Sequence, residues 1–181
     1  MKKIWTTILV YILIIIFIDY NVAHSRIYVI SNYDKLSYYY SWMNPTLYYH
    51  IRRNSIRYKV PEELICAVIQ HESRGKIFAK SPVGARGVMQ VMPVHAGKSH
   101  PKILYKVKVN VQLGTWYLSE CLKKARHVKI SKKDKVKQYQ GIIKESCRMY
   151  NSGIARKRSV YKNWKYTERI YADYRNLTEK L

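Results

Sequence analysis

Glu72-Ser73-Arg74-Gly75-Lys76-Ile77-Phe78-Ala79-Lys80-Ser81-Pro82-Val83-Gly84-Ala85-Arg86-Gly87-Val88-Met89-Gln90-Val91-Met92-Pro93 organises this chain of 181 residues. An acidic residue ends an apolar helical run, and a loop containing Gly and Pro follows. Upstream, Pro61-Glu62-Glu63 opens the run: proline suits the first helical position, and acids suit the positive end of the helix dipole. Leu64, Ile65, Val68 and Ile69 fall at helical spacing, and Gly75 supplies a stop just beyond the end. Glu72 stands three and four residues after Ile69 and Val68, on the edge of the apolar stripe. Burial there disfavours an ionised carboxylate, and the negative end of the helix dipole acts in the same direction. A glutamate is a poor structural choice at that place. A carboxyl still protonated near neutral pH is suited to donating a proton.

The rest of the chain reads as further helices. Pro45-Thr46 opens an amphipathic segment from Leu47 to Ser55, and Pro93 begins a short helix. Asn110 to Ala125 carries Val111, Leu113, Leu118, Cys121 and Leu122 on a helical pattern. Residues 123–140 are dense in lysine and read as a solvated connection. Val136 to Met149 is helical, stopped by Asn151-Ser152-Gly153, and Tyr166 to Leu177 forms a closing helix. No stretch alternates over a strand's length and no internal repeat occurs. The expected fold class is mainly α, in one domain.

The N-terminus is of another kind. Lys2-Lys3 precede an apolar run from Ile4 to Ile18, and Ala23-His24-Ser25 follows with small residues at a cleavage spacing. This is the pattern of an export signal over residues 1–25. An uncleaved anchor is the second choice, because a span needs about 20 apolar residues. Membrane contact is expected only in that case. Residues 26–45, rich in tyrosine and without clear period, read as an N-terminal extension, packed or loosely ordered.

The formal net charge is +23, and removal of residues 1–25 takes away two Lys and one Asp to leave +22. Such an excess favours anionic partners, and an exported chain meets cell-wall polymer and acidic lipid far more readily than nucleic acid. Cys66, Cys121 and Cys147 form no C-x-x-C pair and no disulfide framework. Cys66 reads as a core residue, while Cys121 and Cys147 lie on separate helical segments and could pair in an oxidising compartment. Gly97-Lys98-Ser99 lacks the first glycine of a P-loop, because Met92 occupies that position, and His71-Glu72 lacks the second histidine of a zinc helix, because position 75 is Gly. No metal site and no cofactor are implied.

The motif loop resembles the core signature of soluble-type (SLT) lytic transglycosylases, which share a lysozyme-like fold and cleave peptidoglycan glycan strands. His71-Glu72-Ser73 is similar to the family's catalytic Glu-Ser pair, and Ser81 to Pro93 follows its signature loop without a gap. Asn110-Val-Gln-Leu-Gly114-Thr-Trp-Tyr117-Leu resembles its Asn-x-x-x-Gly-x-x-Tyr-Leu helix, where packing and catalysis are equal readings. Tyr150-Asn151-Ser152-Gly153 resembles its Tyr-Asn-Ala-Gly. The resemblance covers residues 47–175 and implies a catalytic domain over 46–177. It implies that Glu72 is catalytic, that Ser81, Gln90 and Met92 line the glycan groove, that Tyr150 points at the catalytic carboxyl, and that Asn151 supports the groove. The sequence departs from the family at Gly75-Lys76-Ile77, where an aromatic and Asn-Pro are usual, and at Arg148-Met149, where small residues are common.

Glycosidases ordinarily use two carboxylates, and no second acid sits in the motif loops. Glu62 and Glu63 suit the helix start, Glu120 and Glu145 fall on helices, and Asp134 lies among lysines. That scarcity favours a substrate group as the nucleophile, and the resemblance implies which one: Glu72 acts as acid and then as base on the muramyl 6-hydroxyl, giving 1,6-anhydro products from peptidoglycan. The alternatives are a muramidase, with water as nucleophile, and a non-catalytic wall-binding module. Local wall opening for a secretion or conjugation apparatus in the periplasm or envelope is a further expectation. A basic nucleic-acid binder ranks below these.

Overall fold

The computed structural model describes residues 2–127, 135–153 and 164–179. Residues 128–134 of the lysine-dense connection, Asp134 among them, lie outside the described residues. The chain divides into two units, one ending at Tyr39 and one beginning at Tyr40.

The first unit is a single helix, α1 (Lys2–Tyr39). Helix continues through the Tyr-rich segment as far as Tyr39, where the sequence shows no clear period. Apolar and aromatic residues distributed all round leave no stripe whose period could be read. An 18-residue window within Leu13–Tyr39 reaches a mean hydropathy of 1.4. At 1.5 Å per residue such a window is about 27 Å, close to the roughly 30 Å hydrocarbon core of a bilayer. By length and composition the helix is therefore able to cross a membrane, which the run from Ile4 to Ile18 alone is not.

The second unit is built on α2 (Pro45–Tyr58), α3 (Glu62–Glu72), α4 (Val107–Ala125), α5 (Lys135–Ser152) and α6 (Trp164–Glu179), with 3-10 turns at Pro93–Ala96 and Pro101–Tyr105. The described residues are mainly helical and contain no strand, only isolated bridges Lys80–Arg86 and Arg86–Val91. Asn44 caps α2, its side chain accepting from Leu47 N at 2.9 Å, and Pro45 follows at the start; both choices satisfy or remove donors that a helix start leaves unpaired. The helices expected from periodicity are present, with ends shifted by a turn or less.

α3 is the central element. Leu64 to Ile69 are all fully buried, six successive residues covering every side of the helix, so α3 is enclosed rather than half-solvated. Each Leu or Ile so buried contributes about 1.5–3 kcal/mol. α2 and α6 pack against α3, α4 packs on α2 and α5, and α5 packs on α6. Cys66, Cys121 and Cys147 are buried free thiols; the last two face one another's helices without a disulfide.

The long loop between α3 and α4 is fastened through one side chain. Asn110, 1% exposed, accepts from Met89 N at 2.8 Å and donates Nδ2 to Arg86 O at 2.7 Å and Leu104 O at 2.8 Å. Gly87 lies against it with φ +77°, and a Cβ there would stand 2.3 Å from Asn110 Nδ2. Met89 itself is fully buried over Gly114 of α4, where a Cβ would stand 2.6 Å from Met89 Sδ. Asn110, Gly87 and Gly114 thus serve packing: they hold the loop.

Candidate active site

Glu72 is the last residue of α3. Ser73 donates its hydroxyl to Val88 O at 2.7 Å, tying the helix end to the loop. Arg74 (φ +53°) and Gly75 (φ +72°) are both left-handed and turn the chain sharply away. Gly75 is required there, since a Cβ would stand 2.6 Å from Trp42 Cβ, and Trp42 is itself held by donating Nε1 to Gln70 Oε1 at 2.6 Å. The indole thus packs across the position where the family's usual residue is replaced by glycine.

Beside this turn is a cavity of about 390 Å3, lined by Glu72, Ser81, Gln90 and the basic residues Arg74, Lys76 and Lys80, among others. A second cavity, of about 450 Å3, is lined by Met92, His95, Tyr117, Tyr150 and Asn151. Gln90 is a wall of both. The six residues singled out from sequence therefore gather along two cavities with one common member. Gln90, left-handed at φ +48°, is fixed by donating Nε2 to Gly87 O at 3.0 Å and Ala79 O at 3.2 Å. Ser81 Oγ accepts from Ala85 N at 3.0 Å, closing the turn around Gly84.

Burial pushes the Glu72 carboxyl from its ordinary 4.5 up to about 7, the direction its place beside the apolar stripe predicts. The hydroxyl of Tyr166 donates to Glu72 Oε1 and opposes that rise by favouring the carboxylate. The tyrosine hydrogen-bonded to Glu72 is Tyr166 of α6. Tyr150, to which the resemblance points, donates to Met89 O at 2.8 Å and packs its ring 5.5 Å from that of Tyr117, and burial together with the nearby Glu72 carboxylate pushes its hydroxyl well above the usual range. The sequence marks Tyr166 only as the start of the closing helix and assigns it no role at the site, since it lies 94 residues from Glu72. A second bond joins the same helices: His71 Nε2 and Asp173 Oδ2 are 2.8 Å apart. Tyr166 and Asp173 are two helical turns apart on α6, so one face meets His71 and Glu72 together. Tyr166→Phe removes the donor and is expected to move Glu72's titration above about 7. Carboxyl-detected NMR across the pH range measures this; an unmoved titration would contradict the role assigned to the bond.

Four other carboxylates of the described core are engaged elsewhere. Glu62 pairs with Arg52 at 3.1 Å, Glu120 with Lys123 at 2.7 Å and Glu168 with Lys144 at 2.9 Å. Glu145 forms a buried pair with Arg148, whose Nε donates to Glu145 Oε2 at 2.7 Å; this accommodates a charged residue where the family commonly has a small one. Among the described residues, no carboxylate except Glu72 lines either cavity.

One carboxyl, raised by burial, lines a cavity on a helical scaffold, an arrangement suited to general acid–base chemistry. Residues 50–171 match the family model described as the transglycosylase SLT domain, and the chain belongs to that family. Over 98 residues it is 39% identical to membrane-bound lytic murein transglycosylase E of Buchnera aphidicola subsp. Acyrthosiphon pisum (strain APS). That match covers 48% of this chain and 43% of the relative, so the chain spans less than half of that protein. The fold is similar to that of the 70 kDa soluble lytic transglycosylase of Escherichia coli, with a TM-score of 0.58 at 22% identity over 78% of this chain and 25% of the other. The fold is therefore lysozyme-like.

Proposed function

We propose that this chain is an exported lytic transglycosylase that cleaves the β-1,4 bond between N-acetylmuramic acid and N-acetylglucosamine in peptidoglycan. The observation that carries this reading is a single groove carboxyl raised by burial to about 7, with no second acid lining the groove among the described residues. Near neutral pH about half of such carboxyls hold a proton, so one group is able to serve as acid and then as base.

In the first step Glu72 gives its proton to the bridging oxygen. The bond from that oxygen to C1 of the muramyl sugar breaks, and N-acetylglucosamine leaves with a free 4-hydroxyl. Positive charge develops at the muramyl C1. In the second step the Glu72 carboxylate takes the proton of the muramyl 6-hydroxyl while O6 bonds to C1. The product is a 1,6-anhydro sugar, Glu72 is protonated again, and no water is consumed. The scheme needs no cofactor, since every proton moved belongs to Glu72 or the substrate. Ser81, Gln90, Met92, Tyr150 and Asn151 would position the glycan, with Gln90 at the junction of the two cavities. Tyr166 would hold the carboxyl, and the buried Met89 carbonyl would fix Tyr150 as a wall.

Mass spectrometry of peptidoglycan digested by the protein tests the reading. Anhydro-muramyl products are expected; reducing-end products one water heavier would mean a muramidase. No release at all would leave a wall-binding module. The apolar α1 supports export to the periplasm or envelope, as signal or anchor, and fractionation of cells with alkaline extraction separates the two. Local wall opening for a secretion or conjugation apparatus is the cellular role we attach to this activity. Co-isolation with such an apparatus is its test.

A further inference from the structure

The last turn of α3 is held residue by residue from separate parts of the chain. Gln70 accepts from Trp42 Nε1 at 2.6 Å, His71 pairs with Asp173 at 2.8 Å, Glu72 accepts from Tyr166, and Ser73 donates to Val88 O at 2.7 Å. Val88 belongs to the motif loop, and Tyr166 and Asp173 belong to α6. Trp42 comes from the short segment between α1 and α2, ahead of residues 50–171 that match the family model. Its indole holds the chain on both sides of Glu72. It bonds to Gln70 before the acid and lies against Gly75 after it, where an added Cβ would stand 2.6 Å from Trp42 Cβ and 2.7 Å from its Cγ. The left-handed turn at Arg74 and Gly75 therefore closes against the indole. Tyr40 stacks on Trp42 with ring centroids 4.8 Å apart, and Tyr40 and Met43 are both buried, so the indole is anchored on its own side as well. Trp42 lines neither cavity. It reaches the chemistry only through the backbone that carries Glu72.

We infer that Trp42 is a positioning residue for Glu72: by clamping Gln70 and Gly75 it fixes the end of α3 that carries the acid, and it makes residues 40–43 part of the catalytic unit. The inference rests on the reading of Glu72 as the acid of a transglycosylase. A helix end is the part that frays most readily, because its last carbonyls have no partner within the helix. Glu72 stands at that end. Its elevation comes from burial, with Tyr166 opposing it, so a frayed last turn that lets the carboxyl reach water relieves the elevation. Fraying also moves the acid off the oxygen it must protonate, which has to lie within hydrogen-bond reach.

The test titrates Glu72 in the full chain by carboxyl-detected NMR and follows kcat for anhydro-muramyl release against pH. Trp42→Ala is expected to move the Glu72 titration from about 7 toward 4.5, the opposite direction from Tyr166→Phe. The alkaline limb of kcat should come down with it, because the first step needs the protonated carboxyl. A displacement of about 1 Å remote from the reacting atoms can cost on the order of 10^2 in rate, so kcat should fall by about 10- to 100-fold. KM should change little, since the indole lines neither cavity. Trp42→Phe keeps a ring against Gly75 and loses only the bond to Gln70. It should shift the titration the same way by a smaller step, and it carries the test where Trp42→Ala does not fold. An unmoved Glu72 titration and an unmoved kcat limb in folded Trp42→Ala, or in Trp42→Phe where the alanine variant does not fold, would overturn the inference and leave Trp42 a packing residue. Wild-type protein that releases no anhydro product would bring down the transglycosylase reading, whereas the NMR titration needs no substrate and still decides what Trp42 does to Glu72.

Discussion

Glu72→Gln is expected to abolish anhydro-muramyl release while making the folded protein more stable above neutral pH. Amide for carboxyl keeps the shape and removes the transferable proton, and a positioned general acid is worth about 10^2 to 10^4 in rate. In the two-step scheme one residue serves both steps, so a loss near the upper end of that range follows. The stability effect has the opposite sign. The folded-state carboxyl is raised from 4.5 to about 7, so between these values the native protein binds more protons than the unfolded chain. Stability falls as pH rises through that window. The full cost, on the order of 3 kcal/mol for a shift of this size, is present above pH 7 and absent below about 4.5. The glutamine variant carries no such charge. Thermal melts at pH 8 should therefore place the variant above the wild type, and the gap should close toward pH 4. A variant less stable than the wild type at pH 8 would mean that the carboxylate is better accommodated than its burial indicates.

Asn110→Ala is expected to give the largest loss of stability in the molecule. It orphans two buried backbone groups, Met89 N–H and the Leu104 carbonyl, while the Arg86 carbonyl keeps its bond from Val91 N. At about 1–3 kcal/mol for each unsatisfied group, the cost is about 2–5 kcal/mol, enough to lower Tm by on the order of 10 °C. Asn110→Asp should recover little, since two of the three bonds need the amide as donor. Gly87→Ala attacks the same lock, its Cβ standing 2.3 Å from Asn110 Nδ2 and 2.4 Å from Leu104 O at φ +77°. The two changes share one structure, so their costs should fall short of adding, which a double-mutant cycle by chemical denaturation measures. Loss of the lock also frees Met89 and the Gln90 beside it, so the residual folded fraction should be impaired in glycan turnover.

The stretch from Pro61 to Pro93 shows how far local patterns reach. The start of α3, its apolar face and its end at Glu72 follow from proline and acid placement, period and a glycine stop. Full enclosure of the helix does not follow, because Cys66 and Ala67 are compatible with either face and are buried by neighbours from distant parts of the chain. The helical continuation through residues 26–39 was not readable for a related reason: residues apolar or aromatic on all sides carry no period. At the site, Ser81 and Gln90 are identified by the loop that holds them. Tyr166 is not, because nothing around it in the chain differs from an ordinary helical tyrosine.

The chain's own order of residues establishes the helices, the turn after Glu72, the candidate acid and the basic residues carried beside it. These rest on interactions between residues a few positions apart: backbone preference, capping and helical period. Packing of α6 against α3 brings Tyr166 to Glu72, while α5 carries Tyr150 to the Met89 carbonyl. It also buries the carboxyl deeply enough to keep its proton near neutral pH. Desolvation and hydrogen-bond partners depend on atoms brought together from positions 94 residues apart, and no local pattern encodes which of two tyrosines arrives.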